Sequence, residues 1–178
     1  MAKSFVRRSL DARVLIEVRH AALSDAAELA DLLNAIIVRG GTTALEEAFT
    51  PERLAEAYLV GPSVLCCFVA VDRVTGRLEG FQTLGRYPNL PDDIGDIGTF
   101  ARIDGNQRGV GSALFAATRE RARQMGLTAI NATIRADNVG GLTFYGKMGF
   151  DDHSVERAVP LKYGRLVDRV SKRFILAP

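Results

Sequence analysis

The chain contains no tryptophan, only three methionines and two histidines, and only two cysteines among 178 residues. Each scarcity removes a class of explanation. A metal centre needs several thiolate, imidazole or carboxylate ligands at close spacing, and neither His20 nor His153 has a cysteine or a second histidine near it, so no metal is expected. Cys66 and Cys67 are neighbours in an apolar run. Adjacent side chains on a strand point to opposite faces, which disfavours a disulfide between them and fits a reducing, cytoplasmic setting. Surplus charge is also missing: 23 basic against 21 acidic residues leave +2, which implies no polyanionic partner. The pairs Arg7-Arg8 and Lys172-Arg173 read as solvated ends rather than a nucleic-acid stripe. No apolar run approaches the ~20 residues of a membrane-spanning helix, so no membrane partner is expected. Asp11, Arg13, Glu17 and Arg19 interrupt any signal-peptide core. Repeats and low-complexity segments are absent from the sequence as well.

What remains is ordinary globular material, 47% hydrophobic and 25% charged, long enough for one domain with a core and too short for two full ones. Residues 1–12 carry few packing signals and read as an N-terminal arm, with the domain spanning 13–178. Val14, Ile16 and Val18 alternate with Arg13, Leu15, Glu17 and Arg19, a strand period. Ser24 stands as a cap before a helix with one apolar face, Leu29, Leu32, Leu33, Ile36 and Ile37, that stops at Gly40-Gly41. Thr50-Pro51-Glu52 opens a second helix reaching about Val60. Strands are expected over 64–71, 78–84 and 94–103, then a helix to Gly126, a strand over 128–134, and a helix from Asn138 to near Gly149. Two closing strands follow at about 150–158 and 166–174. The order βααβββαβαββ predicts an α/β fold with a mixed sheet, the segment 94–134 forming a right-handed crossover between parallel neighbours.

The most informative stretch is Asp96 to Ser112, DIGTFARIDGNQRGVGS. A strand and short turn enter a helix through Gly109 and Gly111, whose missing Cβ atoms let a ligand approach the backbone. The first amides of a helix have no internal partners and lie at the positive end of its dipole, so they bind phosphate; Arg108 adds a formal charge beside them. By itself Gly-x-Gly before a helix is common to many turns. A second stretch decides more. The helix after Asn138 carries Gly140-Gly141 in its first turn, and Tyr145 lies two turns from Asn138 with Gly141 between them. One reading is a ligand-facing stripe of carboxamide, bare backbone and phenol. The other is a capping asparagine and a core tyrosine.

QRGVGSAL after a strand, followed by NVGGLTFYGKMGF, resembles the GCN5-related N-acetyltransferases over roughly residues 13–174. That superfamily is marked by Gln/Arg-x-x-Gly-x-Gly/Ala and by Asn-x-x-Ala/Gly followed by Tyr and a Gly-Phe pair. The chain is most similar to the phosphinothricin and amino-acid acetyltransferase branch through Asn34-Ala35-Ile36, Thr43-Ala44-Leu45-Glu46 and Tyr163-Gly164-Arg165-Leu166-Val167-Asp168. The resemblance implies a single-domain, mostly antiparallel mixed sheet whose central parallel pair splays around a cofactor cleft. It also implies acetyl-CoA as donor and, as acceptor, the amine of a small molecule or amino-acid-like substrate. Backbone groups of Phe100, Ala101 and Ile103 would hold the acetyl-pantetheine arm, and Gln107, Arg108, Gly109, Val110, Gly111 and Ser112 the pyrophosphate. Asn138 would bond the pantetheine, with Gly141 and Tyr145 lining the cleft. Asn106 stands where the family has Gln or Arg, a shorter side chain that Gln107 could replace. The branch alone suggests a homodimer.

Direct attack on a thioester needs a deprotonated amine, a polarised carbonyl and a proton for the leaving thiolate. An alkyl ammonium of pKa ~10 is almost wholly protonated at neutral pH, so a base or water chain must act. Asp96, thirteen residues before Gly109 where the branch carries a glutamate proposed as base, is the candidate, sharing a strand face with Gly98 and Phe100. Asp93 and Glu46 are reserves. Tyr145 is the candidate acid. An acetyl-cysteine route through Cys66 or Cys67 lacks any group to lower a thiol pKa. A CoA-binding sensor without turnover and a protein N-terminal or lysine acetyltransferase are the alternative functions.

Overall fold

A computed structural model describes residues 16–105 and 108–176. The expected arm, the first strand's residues before Ile16, and Asn106 and Gln107 therefore lie outside the described residues.

The element order is the expected one: β1 (Ile16–His20), α1 (Ala26–Arg39), α2 (Pro51–Ala55), β2 (Val64–Asp72), β3 (Leu78–Gly85), β4 (Ile94–Ala101), α3 (Val110–Gln124), β5 (Ala129–Arg135), α4 (Val139–Lys147), β6 (Asp151–Pro160) and β7 (Leu166–Ile175). Among the described residues these seven strands form one sheet in the order β1-β2-β3-β4-β5-β7-β6. Every neighbouring pair is antiparallel except β4 and β5.

Local chemistry explains most boundaries. The α1 helix ends where Gly40 takes φ +70°, a conformation that costs glycine little. Ser24 is not its cap. Instead a 3-10 turn, Leu23–Asp25, precedes the helix, and the Asp25 carboxylate accepts from Ala22 N at 2.8 Å and from the Arg19 guanidinium. The α2 helix starts as expected, Thr50 Oγ1 accepting from Arg53 N with Pro51 at N1, and then widens into a π turn over Glu56–Val60.

Two cores flank the sheet. On one side α1 and α2 bury Leu29, Leu32, Leu33 and Leu54, each no more than 2% exposed, against Val69 and Phe81. Full burial of such a side chain contributes about 1.5–3 kcal/mol. On the other side α3 and α4 bury Leu114, Phe115 and Tyr145 against Leu84, Ile97 and Ile130. Cys66 and Cys67 divide between these two cores, as strand alternation requires.

Candidate active site

The sheet opens at its one parallel seam. The β4 and β5 strands pair only over Ile94–Asp96 and Ala129–Asn131. Beyond Asp96, β4 stays paired with β3 as far as Ala101, leaving the edge that faces β5 without a strand partner. An unpaired edge presents a row of N–H and C=O groups to any extended ligand. The strand ends at Ala101, so Ile103 does not belong to it as expected; it lies in the following turn, 41% exposed.

Side chains alternate across β4, and this alternation separates the two catalytic candidates. Phe100 stacks on Phe81 at 4.7 Å between ring centres and meets Tyr58 after α2, so Asp96, Gly98 and Phe100 face the α1/α2 side. Thr99 faces the α3/α4 side, where its hydroxyl lies 2.8 Å from the Tyr145 phenol oxygen. Base and acid candidates thus stand on opposite faces of one strand, at the mouth of the splay.

Asp96 sits at the last paired position. Its Oδ1 accepts from Asn131 Nδ2 at 2.8 Å, and burial raises the carboxyl's pKa while that hydrogen bond offsets part of the rise. Asn131, 3% exposed and directly opposite in register, belongs to no motif in the sequence; an asparagine at a strand centre, where its propensity is poor, was the available signal. The space beside Gly98 is taken by the chain itself. A Cβ there would meet the Phe100 ring at 3.1 Å and Thr83 Cγ2 at 3.2 Å.

Tyr145 is 6% exposed, and burial pushes its pKa well above that of an ordinary phenol, so it stays neutral throughout the working pH range. Its partner Thr99 also accepts from Gln82 Nε2 at 2.8 Å. With Gln82 donating, the Thr99 hydroxyl keeps its own proton and a second lone pair, so it can either donate to the Tyr145 oxygen or accept from it. Gln82 is fully buried on β3 and likewise belongs to no motif.

At the α3 entry, Gly109 takes φ +83° with nothing within 4 Å of the place a Cβ would occupy, and Arg108 and Ser112 are exposed. The first helical hydrogen bond, Ala113 N to Gly109 O at 2.9 Å, leaves the preceding amides available. Gly111 has a packing role. Its Cβ would stand 2.7 Å from Phe144 Cε2, so the missing side chain lets α3 and α4 pack. Val110 is buried over Gly80, whose own Cβ would lie 2.9 Å from Val110 Cγ1. The turn leading to this entry is pinned from beneath: Arg102 N donates to Glu79 O, Arg102 Nε to Leu78 O, and Arg102 Nη2 to Glu28.

Asn138 performs the capping role. Its Oδ1 accepts from Gly141 N at 2.9 Å and its Nδ2 donates to Thr42 O at 2.8 Å, tying α4 to the loop between α1 and α2. Gly141 lacks a side chain because a Cβ would fall 2.6 Å from Asn138 Nδ2. Asn138 and Tyr145 therefore have separate partners. Of the reserve carboxylates, Asp93 accepts from Thr128 Oγ1 and Glu46 from Lys162 N. Burial pushes the Cys66 thiol up to about 11 and Cys67 up to about 12, which suppresses the nucleophilic thiolate. No cluster of metal-ligating side chains occurs among the described residues.

No curated protein matches the chain. Solved structures match its fold. Phosphinothricin acetyltransferase from Sinorhizobium meliloti, in complex with acetyl-CoA, aligns over 92% of this chain and 89% of its own, at 17% identity and TM-score 0.78. The ribosomal-protein-alanine N-acetyltransferase of Brucella melitensis aligns over 90% and 99%, at 20% identity and TM-score 0.76. An N-acetyltransferase from Staphylococcus aureus Mu50 aligns over 91% and 99%, at 17% identity and TM-score 0.78. These relatives span several activities and so do not single out one branch. The acetyltransferase (GNAT) family profile matches residues 39–150, which holds α2 through α4 and the whole splayed seam, and the chain belongs to that family.

Proposed function

We propose that the protein transfers the acetyl group of acetyl-CoA to the amine of a small molecule, by direct attack within a ternary complex. The observation that carries this reading is the β4/β5 splay, which has Asp96 on one face of β4 and the Thr99–Tyr145 pair on the other. The chain's own residues fit the donor. The unpaired β4 edge suits the amide groups of a pantetheine arm, and the open α3 entry with Arg108 suits a pyrophosphate.

In this reading Asp96 takes a proton from the acceptor ammonium. Burial raises its pKa, which makes it a stronger base than an exposed carboxylate. The amine nitrogen then bonds to the thioester carbonyl carbon, the C–S bond breaks, and the sulfur leaves with the electron pair. A backbone N–H of the free β4 edge polarises the carbonyl oxygen. Tyr145 donates to the departing sulfur, and the second proton that the nitrogen sheds as the C–N bond forms passes to solvent, from which the phenol is reprotonated. Because burial holds the phenol's proton tightly, its contribution is first a hydrogen bond to developing charge, with proton transfer completing as the thiol forms. The acceptor enters from the α1/α2 side, where Asp96 points. A screen of amines with acetyl-CoA, read by thiol release and by mass of the product, tests the proposal. Tight acetyl-CoA binding without CoA release from any amine would favour a sensor instead, and acetylation confined to peptides would favour a protein acetyltransferase.

A further inference from the structure

On the α3/α4 face, β3 carries an amide where packing asks for a hydrocarbon. Gln82 is 0% exposed, lies in register between Phe68 of β2 and Thr99 of β4, and shares its strand face with Leu84 of the core. Its Nε2 donates to Thr99 Oγ1 at 2.8 Å, whereas its Oε1 is buried without a partner. A buried amide oxygen with no donor costs free energy, so the residue is expensive as filling. Nor is it needed to satisfy Thr99, whose hydroxyl already meets the Tyr145 phenol at 2.8 Å. A methionine of similar volume would occupy the same space and leave no polar group of its own unpaired.

What the amide does supply is direction. A hydroxyl that accepts a hydrogen bond becomes a stronger donor, so bonds in series reinforce one another when they all run the same way. Gln82 occupies one lone pair of Thr99, and the reinforcing series is then Gln82 N–H to Thr99, Thr99 O–H to Tyr145, and Tyr145 O–H outward. The reverse bond, from Tyr145 to Thr99, would place two donors on one hydroxyl and leave the Thr99 proton without an acceptor among the described residues. Burial raises the Tyr145 pKa and the Thr99 bond opposes that rise, which is the sign expected of a donor that favours the phenolate.

Resting on the acetyl-transfer reading, we propose that Gln82 is a positioning residue for the proton donor: through Thr99 it aims the Tyr145 hydroxyl proton at the leaving sulfur and supports the phenolate left behind. As the C–S bond breaks, the sulfur takes the bonding electron pair and then the Tyr145 proton. The phenolate oxygen keeps the Thr99 hydrogen bond until solvent returns a proton to it. Gln82 acts only through Thr99.

Gln82→Met tests this, because packing and chemistry predict opposite outcomes for it. The variant should melt no lower than the parent, since an unpartnered oxygen is removed, while kcat falls about ten-fold and KM for acetyl-CoA stays within about two-fold. Thr99→Val should lose at least as much kcat, and Thr99→Ser, which keeps the hydroxyl, should recover most of it. In a Tyr145→Phe background Gln82→Met should alter kcat by less than about two-fold, because no phenolic proton remains to be aimed. An unchanged kcat in Gln82→Met, or the same ten-fold loss in the Tyr145→Phe background, would overturn the proposal. A loss of kcat that tracks lowered melting temperature through Gln82→Met, Thr99→Val and Thr99→Ser would also overturn it, by assigning the amide to folding. If no amine is turned over at all, the acetyl-transfer reading fails on its own. Carbon-13 NMR of protein labelled at the phenol carbon of its four tyrosines then decides whether Gln82 reaches Tyr145. The signal absent from Tyr145→Phe should move in both Gln82→Met and Thr99→Val, and a signal that Gln82→Met leaves in place rejects the relay.

Discussion

Replacing Tyr145 with phenylalanine removes one oxygen and leaves the ring in place. The ring packs against Phe144 and Phe150 with centres 5.0 Å away in each case, so the apolar part of the site is retained. What is lost on folding is the 2.8 Å hydrogen bond to Thr99, which leaves the half-buried Thr99 hydroxyl with only its Gln82 contact. That should cost about 1–2 kcal/mol of stability, a modest share of the 5–15 kcal/mol typical of a domain. The effect on turnover should be much larger, because a positioned proton donor contributes about 10²- to 10⁴-fold. Stopped assays of thiol release should therefore show kcat reduced by that factor, with KM for acetyl-CoA within about two-fold of the parent. The pH profile adds a separate check. Since the phenol stays neutral, the parent enzyme should show no loss of rate attributable to Tyr145 ionisation up to pH ~10, the range in which an ordinary phenol would titrate. An unchanged kcat in Tyr145→Phe, in a variant that remains folded, would remove the residue from the chemistry.

Asp96→Asn should separate function from stability. Turnover should fall about 10²- to 10⁴-fold, whereas thermal stability at pH 7 should rise, because the native carboxyl has a raised pKa and its ionisation opposes folding. That opposition begins as pH climbs past the unfolded carboxylate value of ~3.9 and is complete above the folded pKa, so the two proteins should converge in stability below pH ~4. Equal melting temperatures at pH 7 would contradict this sign. Gly111→Ala should destabilise by about 1–3 kcal/mol through its 2.7 Å approach to Phe144, and Phe144→Leu should recover part of that loss in a double-mutant cycle; additivity would show that the two do not meet. Asn138→Ala removes the α4 cap and the tie to Thr42, so urea unfolding should report a loss of about 1–2 kcal/mol. A neutral result would mean that neither bond contributes. Both cysteines should resist a thiol reagent at pH 8 until the protein unfolds, since their thiols titrate at about 11 and about 12.

The order of elements was readable because its signals are local. Period-two alternation marked β1, Thr50-Pro51 opened α2, and Gly40 closed α1. Parallel pairing of β4 and β5 followed from the crossover rule. The glycines were harder to interpret. A missing Cβ announces that something comes close without saying what, and at Gly98, Gly111 and Gly141 the neighbour is Phe100, Phe144 and Asn138 of the same chain. Gln82 and Thr99 carried no sequence signal of their role, and Asn131 only its poor strand propensity, because each acts through a partner on another element, and register is a property of the assembled sheet.

The central claim is that acyl transfer occurs across β4, with a base on one face and a proton donor on the other. It is tested most directly by incubating the protein with acetyl-CoA and an amine library while following free thiol and acetylated product together. The account predicts an amine that gives one acetylated product for each CoA released, at a rate lost in both Asp96→Asn and Tyr145→Phe. CoA release at the rate of buffer alone across the library, from a protein that binds acetyl-CoA, would contradict it.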